Sequence, residues 1–275
     1  MASEHSSIEW TESTWNPTSG CTKVSPGCDR CYADRITRRF PKTFPNAFNL
    51  TLRPDSLDIP FHWKQPRTIF VNSMSDLFHV KVPEDYLRRV FDVMRLTPHH
   101  TYQVLTKRAE RLARIAPRLE WPRNVWMGVS VETSQYLWRV DYLREVPAAV
   151  RFISAEPLLG AMPRMNLAGI DWLIAGGESQ AGCRPADIEW FRDLRDQCGM
   201  AEVAFFLKQL GGHPSKRGGE DATLDGRRWV EMPDRAALRA MSATLSKAGT
   251  ARSERRSARH SDSPRRSRVG RAASP

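Results

Sequence analysis

Six short apolar runs recur along this chain, each closing on polar residues and separated from the next by a stretch of different periodicity. They are Thr68-Ile-Phe-Val-Asn72, Thr101-Tyr-Gln-Val-Leu-Thr106, Asn124 to Val131, Val150 to Ser154, Asp171 to Ala175 and Val203 to Leu207. Their β-branched and aromatic content, punctuated by turns, predicts buried strands. Between them Leu87, Val90, Phe91 and Met94 fall at i, i+3, i+4 and i+7, and Phe191, Leu194 and Cys198 keep the same helical spacing. Repeated strand-helix alternation demands a parallel sheet covered by helices. Counting Ile8-Glu-Trp10 as a first strand gives six to seven units. The expected fold is therefore α/β, a partial or complete parallel (β/α) barrel of the TIM type, with a doubly wound sheet as the alternative. A chain of 275 residues, 40% apolar, can bury that core in one domain, expected over residues 1–246.

Charge separates the rest of the chain from this body. Of the net +11, most lies in residues 247–275, where nine Lys and Arg face two Asp and Glu. That Arg/Ser-rich stretch has almost no large apolar side chain and cannot offset the entropy of ordering, so a disordered basic tail is expected. It would grip nucleic-acid phosphates or serve as a solubilising extension. No run approaches the roughly 18 consecutive apolar residues of a membrane span. Five cysteines, three of them tightly clustered, suit thiols kept for metal in a reducing cytoplasm better than a disulfide framework.

The strand ends are where chemistry is expected. In a β/α barrel the carboxyl ends of the strands surround the active site, and here they carry Asn72, Ser73 and Asp76, then Lys107 and Arg108, Ser130 and Glu132, Glu156, Gly176-Gly177-Glu178, and Lys208-Gln209. Glu132 and Glu156, with Lys107 and Lys208, form either an acid/base set or a structural ring of ion pairs. Gly176 and Gly177 would let backbone approach a ligand closely.

Cys21, Cys28 and Cys31 form a Cys-x6-Cys-x2-Cys cluster. Structural zinc takes four protein ligands, whereas three thiolates on a four-iron cluster leave one iron open. A fourth protein ligand would have to be His79 or Cys183. Cys198, on an apolar helix stripe, reads as a buried structural thiol, and Trp10, Trp15 and Trp63 would shield a cluster from water.

Several strings taken together resemble a known family. Ile8-Glu-Trp-Thr-Glu-Ser-Thr-Trp-Asn-Pro17, Val71-Asn-Ser-Met-Ser-Asp-Leu-Phe78, Gln103-Val-Leu-Thr-Lys-Arg108, Val129-Ser-Val-Glu132, Glu156-Pro-Leu-Leu-Gly160, Gly176-Gly-Glu-Ser179, Lys208-Gln-Leu-Gly-Gly212 and Leu224-Asp-Gly-Arg227 are similar to the phage and prophage three-cysteine-motif family of unknown function. Its cysteine motif in turn resembles that of the radical S-adenosylmethionine (SAM) superfamily. The resemblance implies a [4Fe-4S] cluster on Cys21, Cys28 and Cys31, with SAM on its open iron. It further implies SAM contacts from Asn72, Ser73 and Asp76, with Gly176, Gly177 and Glu178 also facing the cofactor. Lys107, Glu132, Glu156 and Lys208 would be the catalytic groups, and Arg108, Ser130 and Gln209 would hold substrate. The implied activity modifies an unidentified substrate, nucleic acid or nucleotide among the candidates, with a partner protein left open. The alternative is a non-catalytic, zinc-bearing, nucleic-acid-binding protein that uses the basic tail.

Overall fold

The computed structural model of the chain describes residues 2–234. The expected boundary at 246 and the basic tail lie outside the described residues. Among the described residues the main sheet has eight strands, the short Ala2–Ser3 at one edge and seven parallel ones: β1 (Ser13–Trp15), β2 (Thr68–Val71), β3 (Thr101–Thr106), β4 (Val125–Ser130), β5 (Val150–Ala155), β6 (Trp172–Gly176) and β7 (Ala204–Gln209). The order of these seven across the sheet is their order in the chain, and every neighbouring pair among them is parallel. A doubly wound sheet reverses its strand order at a switch point; this one never does.

All six apolar runs are strands, but the first strand is not Ile8–Trp10. It is Ser13–Trp15, and residues 8–10 form a turn. The sheet also does not close into a complete barrel, because both of its edges are occupied by other segments. Ala2–Ser3 pairs antiparallel with β1, while Val230 and Gly218 bridge to Phe206 and Gln209 of β7. Covered edges leave neither strand free to find the other.

Side-chain alternation assigns each face of the sheet a separate core. Ile69, Val71, Val104, Met127, Val129, Ile153, Leu173 and Leu207 pack outward into one apolar cluster. The same cluster takes in the buried stripes of α2 (Glu84–Leu96), α3 (Ala109–Ile115), α4 (Trp138–Arg144) and α5 (Ile188–Met200). α1 (Tyr32–Arg39) instead packs through Ala33 and Ile36 on a small cluster with Phe44 and Met74.

The opposite face holds an aromatic plug. Trp172 of β6 meets Trp126, Phe152 and Phe206 with ring centroids 5.6–6.2 Å apart, and Trp10 lies 4.7 Å from Phe70 of β2 and 6.1 Å from Trp172. β2 and β6 are four strands apart, about 19 Å across a flat sheet at ~4.8 Å per strand. One indole touches residues of both, so the sheet curls tightly around the plug. Gly128 of β4 makes room, since a Cβ there would lie 2.4 Å from the Phe152 ring.

Candidate functional site

Above the plug, inward-facing positions change from aromatic to polar, and the loops after the strands build a cavity of 630 Å³ at their carboxyl ends. A cavity this size lies within the range of small-molecule sites. The cysteine segment enters it along a narrow path. Gly20 donates its N–H to the Met74 carbonyl at 3.0 Å, and its φ of +80° carries the chain where a Cβ would lie 2.2 Å from the Asn49 carbonyl oxygen. Cys21 follows, Pro26–Cys28 makes one 3-10 turn, and Cys31 stands at the N-cap of α1. All three thiols line the cavity.

Most of the expected rim meets them there. Asn72, Ser73 and Asp76 lie after β2, Lys107 after β3 and Ser130 at the end of β4; Glu156, Gly177, Glu178, Lys208 and Gln209 complete the wall. Glu156 accepts from Lys208 Nζ at 2.6 Å and from Ser154 Oγ at 3.2 Å. Asp76 accepts from Thr106 Oγ1 (2.7 Å), the Phe78 N–H (2.9 Å) and the Lys107 N–H (3.1 Å), with Arg108 Nε at 3.8 Å. Asn72 has a left-handed φ of +65° and donates to Thr18 Oγ1 and Ser75 Oγ at 2.6 and 2.7 Å. Its buried Oδ1 has no protein partner.

Three expected residues stand behind the wall rather than on it. Gly176 is not among the lining residues, and Glu156 packs against it so closely that a Cβ there would lie 2.8 Å from Oε2. Arg108 turns to the cysteine segment, donating to the Thr22 carbonyl and Oγ1 at 3.0 and 2.9 Å and lying 3.8 Å from Cys21 Sγ. Glu132 is fully buried: Oε2 accepts from Arg139 at 2.9 Å, while Oε1 accepts from Ser25 Oγ at 2.6 Å with Lys107 Nζ 3.4 Å away. It ties the floor of the cysteine loop to β4.

Glu178 lines the cavity yet is committed to arginines. Arg184 donates to it from its backbone N–H (2.9 Å) and Nε (3.1 Å), and Arg30 lies 3.4 Å away. Burial works against its ionisation, but the Arg184 hydrogen bonds outweigh that and hold its pKa below the usual carboxylate range. Arg184 also donates to the Pro26 carbonyl at 3.0 Å, and Gln180 donates to the Arg30 carbonyl at 2.9 Å. The Gly-Gly-Glu loop is thus a clasp over the cysteine loop. Sequence reasoning missed Ser25, Arg30, Arg139 and Arg184. Only Arg30, between two of the cysteines, and Arg184, six residues after Glu178 in a glycine-bearing loop, offered a signal.

The expected fourth ligands are elsewhere. His79 accepts the Lys81 N–H at Nδ1 (3.2 Å), and its Nε2 lies 3.0 Å from Thr22 Oγ1. Burial first, then the charge of Arg108, holds its pKa below the ordinary value. Neither His79 nor Cys183 lines the cavity. Cys198 is buried in the outer core, its thiol pushed up to about 12 by burial, as a structural thiol should be. Of the three shielding tryptophans, only Trp10 reaches the cavity. Trp15 and Trp63 are in the outer core because Trp15 Nε1 is claimed by the Ser56 carbonyl at 2.7 Å and Trp63 packs edge-on against His100.

Gly177 tests how tightly the wall is built. A Cβ there would lie 2.4 Å from the Leu210 carbonyl oxygen, backbone that cannot rotate aside. Gly177→Ala is expected to cost about 1–3 kcal/mol, the usual range for overpacking. Urea denaturation would read it as a lower midpoint at unchanged m-value.

The fold and site define a singly wound α/β protein with a three-thiol cavity at the carboxyl ends of its strands. The chain belongs to the family described as a protein of unknown function (DUF5131), which matches residues 5–233. No curated protein matches it. Three solved structures of spore photoproduct lyase are similar to it. One, complexed with dinucleoside spore photoproduct, is 12% identical with a TM-score of 0.43, covering 62% of this chain and 56% of that one. A double mutant with bound AdoMet and dinucleoside spore photoproduct is 14% identical with a TM-score of 0.43, covering 76% and 60%. A single mutant is 13% identical with a TM-score of 0.45, covering 80% and 63%. The chain spans a little over half the length of the first of these.

Proposed function

We propose that the protein is a radical SAM-like enzyme that holds a [4Fe-4S] cluster through Cys21, Cys28 and Cys31 and takes SAM into the same cavity. The observation that carries the reading is the sharing of one 630 Å³ cavity by three thiols and the polar ends of six successive strands. The donor set suits a cluster. A cubane takes each thiolate on a different iron, so the thiols need to flank a space rather than meet at a point. A single zinc ion needs convergence, with sulfurs at about 2.3 Å from the metal. Structural zinc sites take four protein ligands, and neither His79 nor Cys183 lines the cavity with the three thiols, so the lining supports the three-thiolate reading over the zinc-bearing alternative. Burial, and then the charge of Asp76, push the Cys21 thiol up to about 11 against the opposing effect of Arg108. Loading the site must therefore expel a proton there.

When bound, the cluster and SAM supply a 5′-deoxyadenosyl radical for hydrogen abstraction. The chain's own residues prepare the space. Asn72 Oδ1, a buried acceptor without a protein partner, offers a hydrogen bond to an amine or hydroxyl of the ligand. Lys208 Nζ donates to Glu156 Oε2 at 2.6 Å at the wall, and the pair offers a donor and an acceptor to polar groups of a substrate. Gln209 donates to the Gly177 carbonyl at 2.7 Å and fixes the loop that carries Glu178. Trp10 and the plug exclude water from below. Arg108, Glu132 and the Glu178–Arg184 pair hold the cysteine loop in place.

Anaerobic reconstitution is expected to give a brown protein with about four iron and four sulfide per chain, which forms 5′-deoxyadenosine when reduced with SAM. Cys28→Ala should lose both the iron and the product. A colourless wild-type protein holding stoichiometric zinc after the same treatment would sink the proposal.

A further inference from the structure

A basic groove adjoins the cavity. A groove of 580 Å³ runs along α1, lined by Arg35, Arg38, Arg39 and His213 with Tyr32 and Gln180, and no carboxylate is among its lining residues. It shares Tyr32, Ile36, Ser179 and Gln180 with the cavity, so groove and cavity lie side by side. Asp34 pairs with Arg38 at 2.9 Å, but the arginine is largely exposed, and such surface pairs yield readily to a better anion. Arg35 reaches the Gln180 side-chain oxygen. Arg39 lies 5.5 Å from the ring of Phe40, which is itself 49% exposed. Tyr32, 44% exposed, marks the border between groove and cavity with its hydroxyl on the Ser73 carbonyl.

We infer that this groove is the path of a single-stranded nucleic acid, whose phosphates lie on Arg35, Arg38 and Arg39 while one base passes Tyr32 into the cavity. The inference rests on the cavity being the reaction site and names the substrate class for it. Three features point to a strand rather than a smaller anion or a duplex. Arg35 and Arg39 are separated by about 6 Å of helix rise, so the guanidinium groups serve successive phosphates rather than one. Exposed aromatic rings among cations are what stacked bases use in sequence-tolerant single-strand binding. A base can reach a cavity behind Tyr32 only when it is out of a stack, a cost that an unpaired strand largely avoids. The wall beyond continues the same sign of charge, because Lys216 also lines the cavity and its carboxylates Asp76, Glu156 and Glu178 are each paired to a cation.

The test is fluorescence anisotropy of the full-length protein with a labelled 12-nucleotide strand, as DNA and as RNA, titrated at several salt concentrations. The Arg35→Gln/Arg38→Gln/Arg39→Gln variant is compared with one that loses three remote arginines, Arg88→Gln/Arg95→Gln/Arg118→Gln. Both variants keep residues 235–275 and the same net charge, so tail contacts cancel. At about 0.7 counterions per phosphate contact for a single strand, the α1 variant should flatten the log–log salt slope by about 2. That amounts to about 20-fold less loss of affinity between 50 and 200 mM salt, and the remote variant should follow the wild type. Equal slopes for the two variants would overturn the proposal, as would tighter binding of a duplex of the same length or equally effective competition by a mononucleotide. Binding is read without turnover, so it stays separable from the enzymatic reading. Slope loss in a protein that takes up no iron defeats the radical reading alone; iron and 5′-deoxyadenosine with equal slopes defeat the groove alone.

Discussion

Glu132→Ala is expected to destabilise the protein by about 3–5 kcal/mol, the usual cost of removing one partner from a buried ion pair. The size of the effect comes from what remains. Arg139 is 1% exposed, and apart from Glu132 its guanidinium keeps only the Ser130 carbonyl at 2.8 Å and the faces of Tyr136 and Trp138. An uncompensated guanidinium at that depth has no water to turn to. Lys107, 3.4 Å from the same carboxylate, would lose its counter-charge, and Ser25 would lose the acceptor that fixes the cysteine turn. For a domain of this size the melting temperature should fall by roughly 6–20 °C. Glu132→Gln keeps the volume and an acceptor for Ser25, so it should fall less and retain more iron after reconstitution. The contrary result is equally readable. Unchanged stability in both variants with abolished turnover would assign Glu132 to the chemistry and not to the loop.

The same residue shows where sequence stops being informative. That Glu132 follows a buried strand was legible, because Val125–Ser130 is apolar on both faces, as a central parallel strand must be. Which of its neighbours would claim the carboxylate was not, because Lys107 comes from the loop after β3 and Arg139 from α4, and only packing brings both within reach. Glu178 has the same history. Its commitment to Arg184 and Arg30 depends on the fold of the 178–184 loop, whereas the pairing of Glu156 with Lys208 follows directly from strand ends that face the same cavity.

The missed first strand has a local cause. Ser13–Trp15 is short and mostly polar, stabilised by hydrogen bonds such as Ser13 Oγ to the Glu4 carbonyl at 2.9 Å, so it lacks the apolar signature that revealed the other six. Ile8–Trp10 carries that signature without being a strand, because Trp10 is needed elsewhere. Strand number could be read from alternation, but order and closure could not. Whether a seven-stranded parallel sheet closes depends on what sits at its edges and inside its curl, and here those are Ala2–Ser3, Gly218, Val230 and a tryptophan from a turn.

Trp172→Ala should have an effect of the same order, about 3–5 kcal/mol for a large aromatic deleted from a packed core. Trp172 is fully buried and makes ring contacts with Trp10, Trp126, Phe152 and Phe206. Those partners come from β4, β5, β7 and the turn before β1, so its removal opens a void at the centre of the curl rather than at one edge. The outer core, with its separate set of side chains, should survive, so helical content measured by far-ultraviolet circular dichroism should be retained below the transition. The cavity rests on this plug. Trp10 reaches both layers, touching Trp172 below and lining the cavity above, so a collapsed plug would shift the floor beneath the cysteine loop. Trp172→Phe, which keeps an aromatic ring, should recover most of the stability and the iron retention together. If Trp172→Ala unfolded at the wild-type temperature, the sheet would hold its curvature without the plug, and the covered edges alone would have to account for it.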